Sequence, residues 1–286
     1  MRSILRSLSG LILIFLTALA AAAQEREVRP VEFVKIADNL YQISGGRGAN
    51  GGLYIGDEGV LVIDAKMDET SVSQVLEGIR KLTDEPVRFL VNTHSDGDHV
   101  MGNRFFPRDV MIVSHENCRR EFYHARRDGT PSAWESPELA PFVPCVTYRD
   151  RMDLWLGSRK VELHYFGVGH TTGDTVVYIP EAEAAFLGDQ IFQGRPQLIH
   201  SYKGGNSFEH VKTLRKMLET IGADNFLSGH ADMIDRATIE KHIRAMVERQ
   251  EKVRRMKAAG TGLDEIKAAF PENEARLIES IYNELK

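Results

Sequence analysis

Thr93-His94-Ser95-Asp96-Gly97-Asp98-His99 follows the apolar run Val87-Arg88-Phe89-Leu90-Val91 and precedes Val100-Met101-Gly102-Asn103. His94, Asp96, Asp98 and His99 can all bind a hard or borderline metal ion. A strand cannot aim these four side chains at one point, because alternate residues face opposite sides and His99 breaks the alternation. A tight loop leaving a strand can. Gly97 permits a sharp bend, and Asp98 can cap a short helix starting near His99. The stretch reads as half of a two-metal site.

Upstream of this loop the chain alternates like strands. Val31-Glu32-Phe33-Val34 and Leu40-Tyr41-Gln42-Ile43 flank the turn residues Asp38-Asn39 and predict a hairpin. The glycine-rich run over 44–52 lacks the Lys-Ser/Thr ending of a phosphate-binding loop and leads into another strand, so it reads as a flexible hairpin loop. Leu53-Tyr54-Ile55 and Val60-Leu61-Val62-Ile63-Asp64 are two further strands. Residues 70–82 have helical spacing, with Val72, Val75, Leu76, Ile79 and Leu82 on one face.

Downstream, residues 116–127 read as a helix, and the turn-rich stretch 128–144 reads as a surface excursion, possible cover for the site. Within it, Trp134 and Phe142 are candidates either to cover an apolar substrate or to pack under the loop. Strand patterns return at 153–156, 160–166, 175–179 and 184–187. Polar punctuation stands at strand ends in Gly169-His170-Thr171-Thr172-Gly173-Asp174, Gly188-Asp189-Gln190 and Ser228-Gly229-His230-Ala231. Residues 208–221 and 237–259 are helical, and 263–286 supply two shorter helices broken at Pro271. Their amphipathic pattern leaves open whether they pack on the core or join subunits.

Composition sets the surroundings. Of 286 residues, 36 are basic and 41 acidic, a net charge of −5, which provides no electrostatic attraction for nucleic acid or anionic lipid. Arg2 and Arg6, the apolar stretch 8–20 and Ala21-Ala22-Ala23 have the order of a secretory signal peptide. The expectation is cleavage after Ala23, a periplasmic or secreted protein with no membrane attachment afterwards, and one domain over 24–286 that includes the C-terminal helices. Cys118 and Cys145 are the only cysteines, and both a disulfide and two separate thiols remain open.

The order and context of His94-Ser95-Asp96-Gly97-Asp98-His99, Gly169-His170-Thr171, Leu187-Gly188-Asp189 and Ser228-Gly229-His230 resemble the metal-binding motifs of the metallo-β-lactamase superfamily. The resemblance runs over 40–232 and includes Leu61-Val62-Ile63-Asp64, a strand ending in Asp ahead of a helix. It implies an α/β fold, a four-layer αβ/βα sandwich with the site at one edge. It also implies a first metal position held by His94, Asp96 and His170, a second held by Asp98, His99 and His230, and Asp189 bridging them. The implied cofactor is two Zn²⁺, with iron or manganese as alternatives.

One position departs from the family's His-x-His-x-Asp-His pattern, with Asp96 in place of the second His. Three carboxylates offset most of the charge of two divalent ions, so bound water should be less acidified and harder metals should compete better. The implied activity is hydrolysis of a small-molecule substrate, with a β-lactam amide first and Asp98 orienting the attacking water. The alternatives are another ester, thioester or phosphoester of the cell envelope, or an iron-binding redox protein on the same fold. Lys203 and Asn206, in the polar loop after the Asp189 motif, are candidates to bind a substrate carboxylate and help polarise a carbonyl. His115, His124, His164, His200, His210 and His242 read as surface or hydrogen-bonded residues, with His200 close enough to the Asp189 loop to support it. Asp64 reads as orienting a metal ligand. The oligomeric state is left open.

Overall fold

Every side chain of Val60–Ile63 is buried, as a strand covered on both faces requires. Leu61 and Ile63 enter one apolar cluster, and Val60 and Val62 enter another. The computed structural model, which describes residues 28–125 and 128–285, shows what supplies the two covers. The expected export signal lies outside the described residues.

The first half of the chain contains β1 (Glu32–Ala37), β2 (Leu40–Ser44), β3 (Gly51–Ile55), β4 (Val60–Ile63), α1 (Glu69–Leu82), β5 (Val87–Val91), α2 (Gly97–Val100), β6 (Met111–His115), α3 (Glu116–Glu121) and β7 (Val146–Tyr148). These strands form one sheet in the order β1-β2-β3-β4-β5-β6-β7, antiparallel up to β4 and parallel from β4 onward. The second half contains β8 (Arg151–Leu156), β9 (Arg159–His164), β10 (Val176–Ile179), β11 (Ala184–Phe186), α4 (Ser207–Thr220), β12 (Asn225–Leu227), β13 (Ile234–Asp235), α5 (Arg236–Ala258), α6 (Leu263–Ala268) and α7 (Ala275–Glu284). Its sheet runs β13-β12-β11-β10-β9-β8, with only the β11/β12 pair parallel.

The sheets pack face to face through Leu61, Ile63, Val91 and Val113 on one side and Leu163, Val177, Ile179 and Phe186 on the other. Outside the first sheet, Val72, Val75 and Ile79 of α1 cover Val60, Val62 and Leu90. Outside the second, α4, α5, α6 and α7 cover it through Leu214, Met217, Ile239, Ile266, Leu277 and Ile281. This is the expected αβ/βα sandwich. α1 begins where Asp68 accepts a 2.8 Å hydrogen bond from Ser71 N, and Arg80 and Lys81 lie in its last turn, where the helix dipole favours cations.

Several local expectations need correction. The helix after β6 ends at Glu121 rather than continuing to 127, because Phe122 turns inward against Trp134 and the next N–H groups make tight i→i−3 bonds. Trp134 is buried with Val100, Cys118 and Phe122, so it packs under the excursion and does not face a substrate. The run over 44–52 is pinned: buried Lys66 donates to the carbonyls of Gly45 (2.7 Å) and Ala49 (2.8 Å). The C-terminal helices pack on the core, and Glu284 accepts from Ser207 N at the start of α4. Cys118 is buried, Cys145 is exposed, and both are free thiols. No helix among the described residues is long and apolar enough to cross a membrane.

Candidate metal centre

β5 ends at Val91, and the chain turns through 92–96 into α2. Asp96, not Asp98, occupies the cap position of this helix, and its carboxylate makes no capping bond because it is engaged elsewhere. Gly97 has helical geometry, and a Cβ there would only touch Met101 Cγ at 3.4 Å, so the bend does not depend on glycine. The turn brings His94, Asp96, Asp98 and His99 to the edge of the sandwich. There they meet His170, which precedes β10, Asp189, which follows β11, and His230, which follows β12.

The seven residues form two abutting groups. His94, Asp96, His170 and Asp189 make one, and Asp98, His99 and His230 make the other, with ligand atoms within 4.8 Å of one another in each. Asp189 joins them. Its Oδ2 is 3.8 Å from Nε2 of both His94 and His170 and 3.3 Å from His230 Nε2, while its Oδ1 is 3.2 Å from His99 Nε2. Asp98 Oδ2 lies 3.1 Å from His230 Nε2.

Other groups decide which ring nitrogen faces the centre. His99 Nδ1 is held 2.7 Å from Asp64 Oδ2, and His170 Nδ1 is 2.8 Å from the Leu198 carbonyl, so each ring presents Nε2. Asp64 also accepts from Thr93 N and Thr93 Oγ1, both at 2.8 Å, which ties the start of the loop to the ligand it orients. Asp174 does the same for the His170 loop by accepting from Thr171 N and Gln190 Nε2. The pinned 44–52 run buttresses the second group: Ala49 N donates to Asp98 O, and Asn50 N donates to Gly229 O.

The donor set fits a pair of divalent ions. His94 Nε2, His99 Nε2 and Asp189 Oδ1 are buried without a hydrogen-bond partner, a state that costs about 1–3 kcal/mol per group unless something else binds there. Imidazole and carboxylate donors of this kind suit zinc, iron or manganese. With protons alone, burial opposes charge on His170 and His230, but Asp96 and Asp189 outweigh it for the first, and Asp189 and Asp98 for the second, lifting both to about 9. Burial likewise opposes ionisation of Asp189, yet His99, His230 and His94 hold it well below the usual carboxylate range.

Lys203 and Asn206 are both engaged inside the protein. Lys203 is buried with Nζ 2.6 Å from Asp96 Oδ1 and 2.8 Å from Ser95 Oγ, and Asn206 Oδ1 caps α4 by accepting from Phe208 N and Glu209 N. His200 stands behind Asp96 rather than Asp189, with Nε2 2.7 Å from Asp96 Oδ2. Asp174 closes the polar motif that begins at Gly169, but its supporting role was not read from it, and two further supporting residues, Lys66 and Glu121, had no signal in the sequence; Glu121 accepts from Ser95 Oγ, Thr172 N and Thr172 Oγ1. Burial raises the Glu121 carboxyl in spite of those bonds.

The sequence pattern of the metallo-beta-lactamase superfamily matches residues 44–230, a span that holds all seven ligand candidates. The chain belongs to the metallo-beta-lactamase superfamily. Among curated relatives, it is 22% identical to Metallo-beta-lactamase type 2 of Elizabethkingia meningoseptica over 83% of this chain and 92% of that one. It is 26% identical to 2,4-dinitroanisole O-demethylase subunit alpha of Nocardioides sp. (strain JS1661) over 49% of this chain, but spans only 40% of that subunit. Among solved structures, the metallo-beta-lactamase from Pontibacter korlensis superposes with a TM-score of 0.62 at 18% identity, covering 76% of this chain and 98% of the other. The DIM-1 metallo-beta-lactamase does so with the same TM-score at 19% identity, covering 78% and 99%. These superfamily structures share the fold.

Proposed function

We propose that the chain is an exported two-metal hydrolase of small molecules, with zinc as its ion and a β-lactam amide as its leading substrate. The observation that carries the two-metal reading is Asp189, whose Oδ2 reaches His94, His170 and His230 and whose Oδ1 reaches His99, so that one carboxylate touches histidines of both groups. Divalent ions at these positions supply Lewis acidity, making a water nucleophilic at neutral pH and polarising the scissile carbonyl or phosphoryl group.

The chain's own residues do the rest. His230 holds Asp98 at Oδ2, and Asp98 is one-third exposed at the opening of the site, where it orients a nucleophilic water and accepts its proton. Its carboxyl is held below the usual range by His230 and His99 against the opposing effect of burial, so it stands as the carboxylate. A cleft of about 1040 Å³ opens beside His230, lined by Arg29, Lys35 and Asn50 as well as the apolar Val34 and Met233. That mixed lining suits a small substrate with a polar and an apolar side.

The likeness to the Elizabethkingia enzyme over nearly its whole length supports the β-lactam reading, as does the amino-terminal export pattern. A second reading, hydrolysis of another ester, thioester, phosphoester or aryl ether, is favoured by the engagement of Lys203 with Asp96 and of Asn206 with α4, since neither is free for a substrate carboxylate. The partial likeness to the dinitroanisole demethylase subunit supports it too. A panel of nitrocefin, p-nitrophenyl acetate, bis-p-nitrophenyl phosphate and 2,4-dinitroanisole, with and without chelator, separates the two. Chelator-sensitive nitrocefin turnover supports the first; a fully metallated enzyme that leaves nitrocefin intact and cleaves another member selects the second.

A further inference from the structure

Asp96 is unlike the other ligand candidates in how completely the protein occupies it. Its Oδ1 is 2.6 Å from Lys203 Nζ. Its Oδ2 faces His200 Nε2 at 2.7 Å, His170 Nε2 at 3.2 Å and His94 Nε2 at 3.5 Å. Only Oδ2 therefore points at the first metal position. Lys203 is itself only 9% exposed, and its other hydrogen bond, to Ser95 Oγ, passes the connection to Glu121 and so to Thr172, two residues beyond His170. A buried ion pair is a poor source of stability, because well-packed apolar residues serve as well or better. Its placement beside a metal position points to another role.

Resting on the two-metal reading above, we propose that Lys203 sets the charge and the denticity of Asp96: it cancels the extra negative charge at the first position and confines the carboxylate to one oxygen. A free carboxylate can use both oxygens, which favours larger, oxygen-seeking ions such as manganese, whereas a one-oxygen donor beside two imidazoles favours zinc. The charge-based expectation that three carboxylates make this centre attractive to harder metals is thereby offset. Lys203 is a positioning residue, acting through Asp96 without touching substrate.

The test is competitive metal loading. Metal-free full chain, as wild type and Lys203→Gln, is equilibrated with zinc and manganese at equal concentrations, each in excess of two ions per chain, desalted, and analysed for both elements. Removing the ammonium strengthens binding of every cation while loosening Asp96, so the ratio of metals is the readout, since a merely structural loss lowers both together. The expected result is a manganese-to-zinc ratio about tenfold higher in Lys203→Gln, the size of effect that partners of metal ligands exert. Asp96→Asn closes a cycle: in that background the Lys203 substitution should leave the ratio unchanged. Lys203→Met, which keeps the buried stem filled, replaces the Gln variant if the latter loses the fold by circular dichroism. An unchanged ratio in a folded, two-metal Lys203 variant overturns the proposal. A wild type that takes up fewer than two ions overturns the two-metal reading instead.

Discussion

Asp64→Asn isolates the means by which this centre selects the ring nitrogen of His99. Asp64 is 4% exposed and sits at φ 59°, a conformation asparagine also tolerates, so the backbone is preserved. Its carboxylate accepts three hydrogen bonds, from Thr93 N at 2.8 Å, Thr93 Oγ1 at 2.8 Å and His99 Nδ1 at 2.7 Å. The amide has one oxygen. If Thr93 N keeps that acceptor, the amide NH₂ faces His99 and donates to Nδ1, which forces the ring proton onto Nε2, the atom that should bind metal. Losing one buried hydrogen bond to a charged acceptor costs about 1.5–3 kcal/mol of stability in the metal-free protein. At the second metal position the wrong tautomer should weaken binding about tenfold to a hundredfold, or about 1.4–2.7 kcal/mol. Urea unfolding in chelator measures the first quantity, and zinc titration calorimetry the second. An Asp64→Asn protein that binds two zinc ions as tightly as wild type would refute the claim that Asp64 sets the tautomer.

Glycine substitutions should divide sharply by position. Gly97→Ala has room and should change metal content by less than twofold, whereas a Cβ at Gly229 would stand 2.6 Å from both Asp189 Oδ1 and His99 Cε1, so Gly229→Ala should lose at least one ion per chain by elemental analysis. The chelated protein should lose stability in alkali. His170 and His230 are raised to about 9 when folded, from 6.5, so their contribution is complete below pH 6.5 and disappears as pH rises through 9; a chelated Tm that is flat or rises between pH 6.5 and 9 contradicts this. Zinc added near neutral pH should displace those same protons and acidify a weakly buffered solution. Asn206→Ala should cost about 1 kcal/mol as a lost helix cap and leave KM for the working substrate unchanged; a KM that rises severalfold would make Asn206 a substrate contact after all.

How much of this was legible beforehand depended on the range of each interaction. The longer strands and helices followed from local periodicity, since burial on one face imprints a repeat of two or about 3.6 on nearby residues, whereas β7, β12 and β13, of three, three and two residues, are too short to carry such a repeat and were not read from the sequence. The ligand candidates were legible because each lies in a short motif at a strand end, where backbone direction alone brings it toward one edge of the sandwich. The family resemblance ordered those motifs into one site. Where the local reading went astray, a distant contact was responsible. The run over 44–52 looked loose until Lys66 filled its carbonyls, and residues 116–127 looked helical until Phe122 found Trp134.

Lys203 shows the division most clearly. As a basic residue in a polar loop it reads as a hand extended to substrate, and nothing near it in the chain says otherwise. Its partner Asp96 lies 107 residues earlier. Chain order states which residues are neighbours along the backbone, and that determined the elements, the motifs and the metal-binding chemistry available. Only the packing of two sheets decided which loops meet, and burial then converted a solvated lysine and an extra carboxylate into a fixed ion pair, because charges removed from water must find each other.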